Sequence, residues 1–127
     1  MSFDWGEYLS IAEELCAMSR TGPPVGREAQ QRAAVSRAYY AAFILARNHL
    51  RDADGIPIPQ RGNPHQFVAA RYANDPDPLR SGIGYNLTSL RTARNRCDYD
   101  DVVAGLSNLA VWSVLRARQI VADLTQL

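Results

Sequence analysis

A chain of 127 residues, 46% hydrophobic and 21% charged, has room for one core and not for two. A net charge of +1 sets up no overall field toward nucleic acid, and no apolar run approaches the roughly 20 residues that span a bilayer. The start, MSFDWGEYLS, carries acids where an export signal carries positive charge, and Cys16 and Cys97 form no metal-spaced pair; a cytoplasmic protein with reduced thiols, no bound metal and no cofactor is expected.

The first predicted helix runs from about Asp4 to Ser19, with Trp5, Tyr8, Leu9, Ala12, Leu15, Cys16 and Ser19 on one face. TGPPVG, Thr21 to Gly26, stops it with two prolines and two glycines. The second helix is the longest, about Arg27 to Arg51, rich in alanine and free of glycine and proline. Its small residues let neighbours approach closely, while Tyr39, Tyr40 and Phe43 fill the gaps beside them. His49, near its end, is expected to meet the helix's terminal carbonyls.

Pro57, Pro59 and Pro64 make Asp54 to Pro64 a loop. A short third helix, about His65 to Tyr72, is expected to lean Phe67, Ala70 and Arg71 toward its neighbours. Asn74 to Pro78 is a turn in which Asp77 caps a fourth helix and Pro78 opens it; that helix runs to about Cys97 and is weakened early by Gly82 and Gly84. The fifth spans about Asp101 to Leu124, with Val102, Leu106, Leu109, Ala110, Ser113, Ala117, Ile120, Val121 and Leu124 on one side. No segment alternates long enough to be a strand. The fold class is all-α: an antiparallel bundle of four long helices and one short one.

Within the fourth helix Ile83, Leu87, Leu90, Arg94 and Cys97 follow at steps of four, three, four and three. Arg94 therefore falls on an apolar stripe, and a guanidinium there must find partners or water. Asp98, one turn on, is the nearest candidate, as a buried pair joining the fourth and fifth helices; Tyr99, Asp100 and Asp101 follow. The chain has fourteen basic residues, every one an arginine. Genome bias accounts for that, and so does phosphate recognition by the guanidinium's planar fork; composition does not choose.

Three segments carry a resemblance. SRAYYAAFILARNHL (Ser36 to Leu50), PHQFVAARY (Pro64 to Tyr72) and LRTARNRCDYD (Leu90 to Asp100) are similar, in order and spacing, to segments of the HEPN family, the higher eukaryotes and prokaryotes nucleotide-binding domain. The resemblance implies a HEPN-like helical bundle that pairs as a homodimer and has RNA-related roles. Many members are metal-independent ribonucleases in toxin–antitoxin, CRISPR or phage-defence systems; others are non-catalytic, or partner a small nucleotidyltransferase. The family's catalytic pattern is an arginine, four to six intervening residues and a histidine. Arg94 matches the arginine and Asn95 the polar residue after it, but Tyr99, Asp100 and Asp101 stand where the histidine belongs, and no arginine in the chain has a histidine at that spacing.

Cleaving RNA without metal requires a base for the 2′-hydroxyl proton and an acid for the leaving oxygen, and losing such help costs about a hundred- to ten-thousand-fold. Histidine does either near neutrality; tyrosine and aspartate are poor substitutes unless strongly shifted. The leading expectation is a non-catalytic member that binds RNA or nucleotide phosphate through Arg94, with Arg91 and Asn95 beside it and Asp98 and Tyr40 shaping the site. A ribonuclease using Arg94 with Tyr99 or His65 is the alternative, and a structural partner of a nucleotidyltransferase the third. His65 is expected to bond locally at its helix start, and the Gly82–Gly84 pair, with no strand before it, is discounted as a nucleotide loop.

Overall fold

A computed structural model of the chain describes residues 2–127. These fold into five helices with no strand: α1 (Gly6–Thr21), α2 (Arg27–Asp52), α3 (Pro64–Ala73), α4 (Pro78–Tyr99) and α5 (Leu106–Leu124). Local signals set most ends. The Asn63 side chain accepts from the Gln66 N–H at 3.1 Å and the Asp77 carboxylate from the Arg80 N–H at 3.3 Å, each followed by proline at the first helical position.

The alanines of α2 explain its central place. Ala34, Ala38, Ala41, Ala42 and Ala46 are fully buried, and α2 packs against all four other helices. Where side chains are this small, neighbouring backbones close in and leave few voids. Leu9, Ala12 and Cys16 of α1, Ile83, Leu87 and Leu90 of α4, and Ala110, Ala117 and Ile120 of α5 complete one apolar core. No helix among the described residues is long and apolar enough to cross a membrane.

Two expectations about α3 and α5 are corrected. The buried face of α3 is Val68, Ala69 and Tyr72, while Ala70 and Arg71 are exposed; Phe67 stays half-buried. Tyr72 decides this rotation, because its hydroxyl donates to the Ala46 carbonyl of α2 at 2.8 Å. Helix α5 begins at Leu106 rather than Asp101, and Val102, expected on its core face, is 84% exposed while Val103 is buried. Gly105, at φ 65°, turns the chain into the helix.

Long-range polar contacts close the ends. Arg32 of α2 donates to the carbonyls of Cys97 (2.9 Å), Asp100 (2.6 Å) and Asp101 (3.1 Å), which satisfies orphan acceptors in the last turn of α4 and just past it. Arg80 clasps Asp54 with two bonds of 2.7 and 3.1 Å, holding the start of α4 to the end of α2 and keeping the Asp54 carboxyl below its ordinary range. His49 does not serve α2's carbonyl end; its Nε2 lies 3.7 Å from the same Asp54 carboxylate.

Gly84 fixes the crossing of α3 and α4. A Cβ there would stand 2.3 Å from the Ala73 nitrogen and 2.6 Å from both the Ala69 carbonyl oxygen and Ala73 Cα. Only glycine permits the approach.

Candidate functional site

The apolar stripe of α4 continues through Ala93 and Cys97, both buried, so Arg94 stands at the edge of the core with its side chain 14% exposed. Its two terminal nitrogens each donate a hydrogen bond, and Nε faces a carboxylate. Nε lies 2.8 Å from Asp98 Oδ2, though its N–H is not aimed along that line, so the pair is held by charge more than by a directed bond. Nη1 donates to Asn95 Oδ1 at 2.9 Å, and Nη2 donates to the Tyr40 hydroxyl. The guanidinium also lies 4.9 Å from the centre of the Tyr40 ring and 5.7 Å from that of Tyr99.

The Arg94–Asp98 pair therefore lies within α4 and does not join α4 to α5. The link it makes is to α2, through Tyr40 and through Ser36, whose hydroxyl donates to Asp98 Oδ2 at 3.3 Å. Tyr99 closes α4 with 72% of its surface exposed, a lid over Arg94. Asp100 and Asp101 contribute backbone carbonyls to Arg32, and neither makes an ion pair with Arg91 or Arg94.

His65 opens onto the same region from α3. Its ring stacks on Phe43 at 4.3 Å, meets the Tyr40 ring edge-on at 6.2 Å, and its Nδ1 is 2.6 Å from the Tyr39 hydroxyl. Burial pushes the Tyr39 phenol up, with Arg91 and Arg94 pulling against it, so it stays protonated. Tyr39 has no other polar partner among the described residues. The assignment that satisfies both groups has Tyr39 donating to Nδ1 and the imidazole proton on Nε2. Burial first, then the charges of Arg91 and Arg94, lower the His65 pKa from its ordinary 6.5. His65 is thus a neutral imidazole facing two cations.

Between α3 and α4 runs an open groove of about 540 Å³, bounded by Tyr39, His65, Ala69, Tyr85, Thr88 and Arg91. Tyr85, Thr88 and Arg91 recur at helical spacing on α4, and Tyr85 is 66% exposed at the rim. The Nε of Arg91 is shielded from solvent and bonds to nothing. Gly84 brings the helices together at this groove, since Ala69 and Ala73 line it and meet Gly84 directly. By contrast, a hollow of about 400 Å³ beside Arg27 is bounded by Glu28 and Asp101, whose carboxylates disfavour an anion.

The geometry unites Arg91, Arg94, His65, Tyr39 and Tyr40 and divides their work. Arg94 is tied to Asn95 and to Asp98, while Arg91 makes no ion pair and no side-chain hydrogen bond among the described residues and lines the open groove. Tyr39, Phe43, Tyr85 and Gly84 were not singled out by sequence reasoning as site residues; for Tyr85 the only signal was its three-residue steps to Thr88 and Arg91. The set offers two cations, one imidazole and flat aromatic walls, and no second imidazole. Among the described residues, no three His, Cys, Asp or Glu side chains are grouped to hold a metal ion. No protein-family model, curated protein or solved structure matches this chain.

Proposed function

We propose that this chain is a HEPN-like, non-catalytic phosphate-binding protein whose ligand is RNA or a nucleotide, acting in a defence or toxin–antitoxin setting. In this reading its long helices form an antiparallel bundle that pairs with a second copy. The observation that carries it is that Arg91, which makes no ion pair and no side-chain hydrogen bond among the described residues, lines one groove with the neutral His65. A phosphate between them would accept from Arg91 and from the His65 Nε2–H, and would offset the field of two arginines. Arg94 supplies fixed charge from behind, held in place by Tyr40 and Asp98.

Binding is favoured over cleavage because proton transfer is one-sided here. His65 is the one imidazole at the site, with its pKa lowered by burial and the two arginines, and the Tyr39 phenol is pushed further from neutrality. The test follows the His65 imidazole by NMR while inorganic phosphate is added. Bound phosphate raises the His65 pKa in the wild type, and Arg91→Gln abolishes the response. A wild-type titration curve that phosphate leaves unmoved would refute the reading. Metal-free cleavage of RNA that collapses in both Arg91→Gln and His65→Ala would replace it with a ribonuclease.

A further inference from the structure

The Phe43–His65 stack is a wall with a groove on either side. Beyond it lies a second groove of about 450 Å³, between the last turns of α2 and the loop before α3, bounded by Phe43, Arg47, Arg51, Pro59, Gln60 and Pro64. Tyr40, Phe43, Arg47 and Arg51 fall on α2 at steps of three, four and four, which lays one aromatic-to-basic stripe along a single helix face. Arg51 is neutralised by Asp52, at 2.8 and 3.1 Å. Arg47 has no carboxylate partner; its Nε and Nη2 rest on the amide oxygen of Asn48 at 3.2 and 3.0 Å. Each groove thus pairs one arginine free of carboxylates with flat surfaces: Arg91 with Tyr85 and His65, Arg47 with Pro59 and Pro64, Phe43 itself being buried beneath them against Tyr39 and His65.

We propose that the second groove is a further phosphate subsite, so that the ligand is a single-stranded polynucleotide crossing the Phe43–His65 wall from Arg91 to Arg47. This rests on the phosphate reading of the first groove and narrows it, excluding a free mononucleotide as the preferred ligand. Two weak cationic sites joined by a continuous strand bind with a local concentration set by the chain between them, so affinity grows with ligand length until both are filled. Tyr85 and His65 on one side and the prolines Pro59 and Pro64 on the other offer flat surfaces that accept bases without reading their sequence, which suits an unpaired strand and not a duplex, whose bases are already stacked.

The experiment measures fluorescence-anisotropy affinities for uridine oligonucleotides of two, four and eight residues, with an eight-base-pair RNA duplex beside them. The octamer binds at least about tenfold more tightly than the dimer, and more tightly than the duplex. Arg47→Gln removes that gain and lowers the salt slope for the octamer by about one, while the dimer's affinity and the His65 response to phosphate stay as in the wild type. If the octamer binds no better than the dimer, or if Arg47→Gln weakens both equally, the second subsite is wrong. Loss of the His65 phosphate response would instead strike the first groove. Preferential binding of the duplex would overturn the single-strand assignment.

Discussion

Replacing Gly84 by alanine is expected to destabilise the protein although the same change elsewhere in α4 stabilises it. In an unhindered helix interior, glycine to alanine is favourable by about 1 kcal/mol, because alanine restricts the unfolded chain. At Gly84 the new methyl carbon would sit 2.3 Å from a backbone nitrogen, and ordinary contact begins near 3.4 Å, so α3 must retreat by about 1 Å. The obstructing atoms are backbone and cannot rotate away. Forcing apart packed elements costs typically about 1–3 kcal/mol, which outweighs the propensity gain. Gly82, two residues earlier, meets nothing within 4 Å of an added Cβ and is the internal control. Urea denaturation should place Gly84→Ala up to about 2 kcal/mol below the wild type and Gly82→Ala up to about 1 kcal/mol above it. If the two variants shift in the same direction, the close crossing of α3 and α4 is not as described here. The Gly84 change should also disturb the His65 resonances, because α3 carries that ring.

Arg32→Met keeps the aliphatic stem but strips three carbonyls of their donor, and should cost about 2 kcal/mol in the same denaturation assay, with faster amide exchange in the last turn of α4. Since the folded His65 pKa lies below its ordinary 6.5, the unfolded chain takes up the proton first; stability should hold above about pH 7 and decline as pH falls through 6.5 and the folded value, a slope that His65→Gln removes. The Asp54 carboxyl is likewise lowered from 3.8, so its contribution is present above that value and lost as pH falls through the folded one, with Asp54→Asn flattening the acid limb. Arg94→Gln leaves the Tyr40 hydroxyl and the Asp98 carboxylate without their cation and should lower stability by about 1–3 kcal/mol, whereas Arg91→Gln should leave the melting curve near wild type and abolish the phosphate response of His65.

What could be read from the sequence was whatever local chemistry decides. Helix α2 has no glycine or proline and a steady run of good helix formers, and the Asp77–Pro78 cap is a contiguous signal. The errors fell where a distant residue decides. Asp101 before two valines looks like a helix start, but Arg32, far away in sequence, holds the Asp100 and Asp101 carbonyls and Gly105 resets the chain. In α3 the expected face missed by a fraction of a turn, because a ten-residue helix rotates through 100° per residue and one hydroxyl bond to α2 sets its angle. Gly84 read as a weakness within α4; only the approach of α3 reveals it as a requirement.

The arginine that drew attention on the sequence is the one with the least freedom to act. Its position on an apolar stripe follows from periodicity, but periodicity says nothing about what faces it across a helix boundary. Tyr40 comes from α2 and takes the hydrogen bond that a ligand would need, while Asn95 and Asp98 take the rest. Arg91, one turn earlier, is angled toward α3, where the partner is a neutral imidazole already bonded to Tyr39 on its far side. A cation that must hold an exchangeable anion needs bonding capacity left over, and a cation that must keep its place needs none. Arg94 meets the second condition and Arg91 the first, so the phosphate reading places ligand recognition on Arg91 and makes Arg94 its fixed electrostatic support.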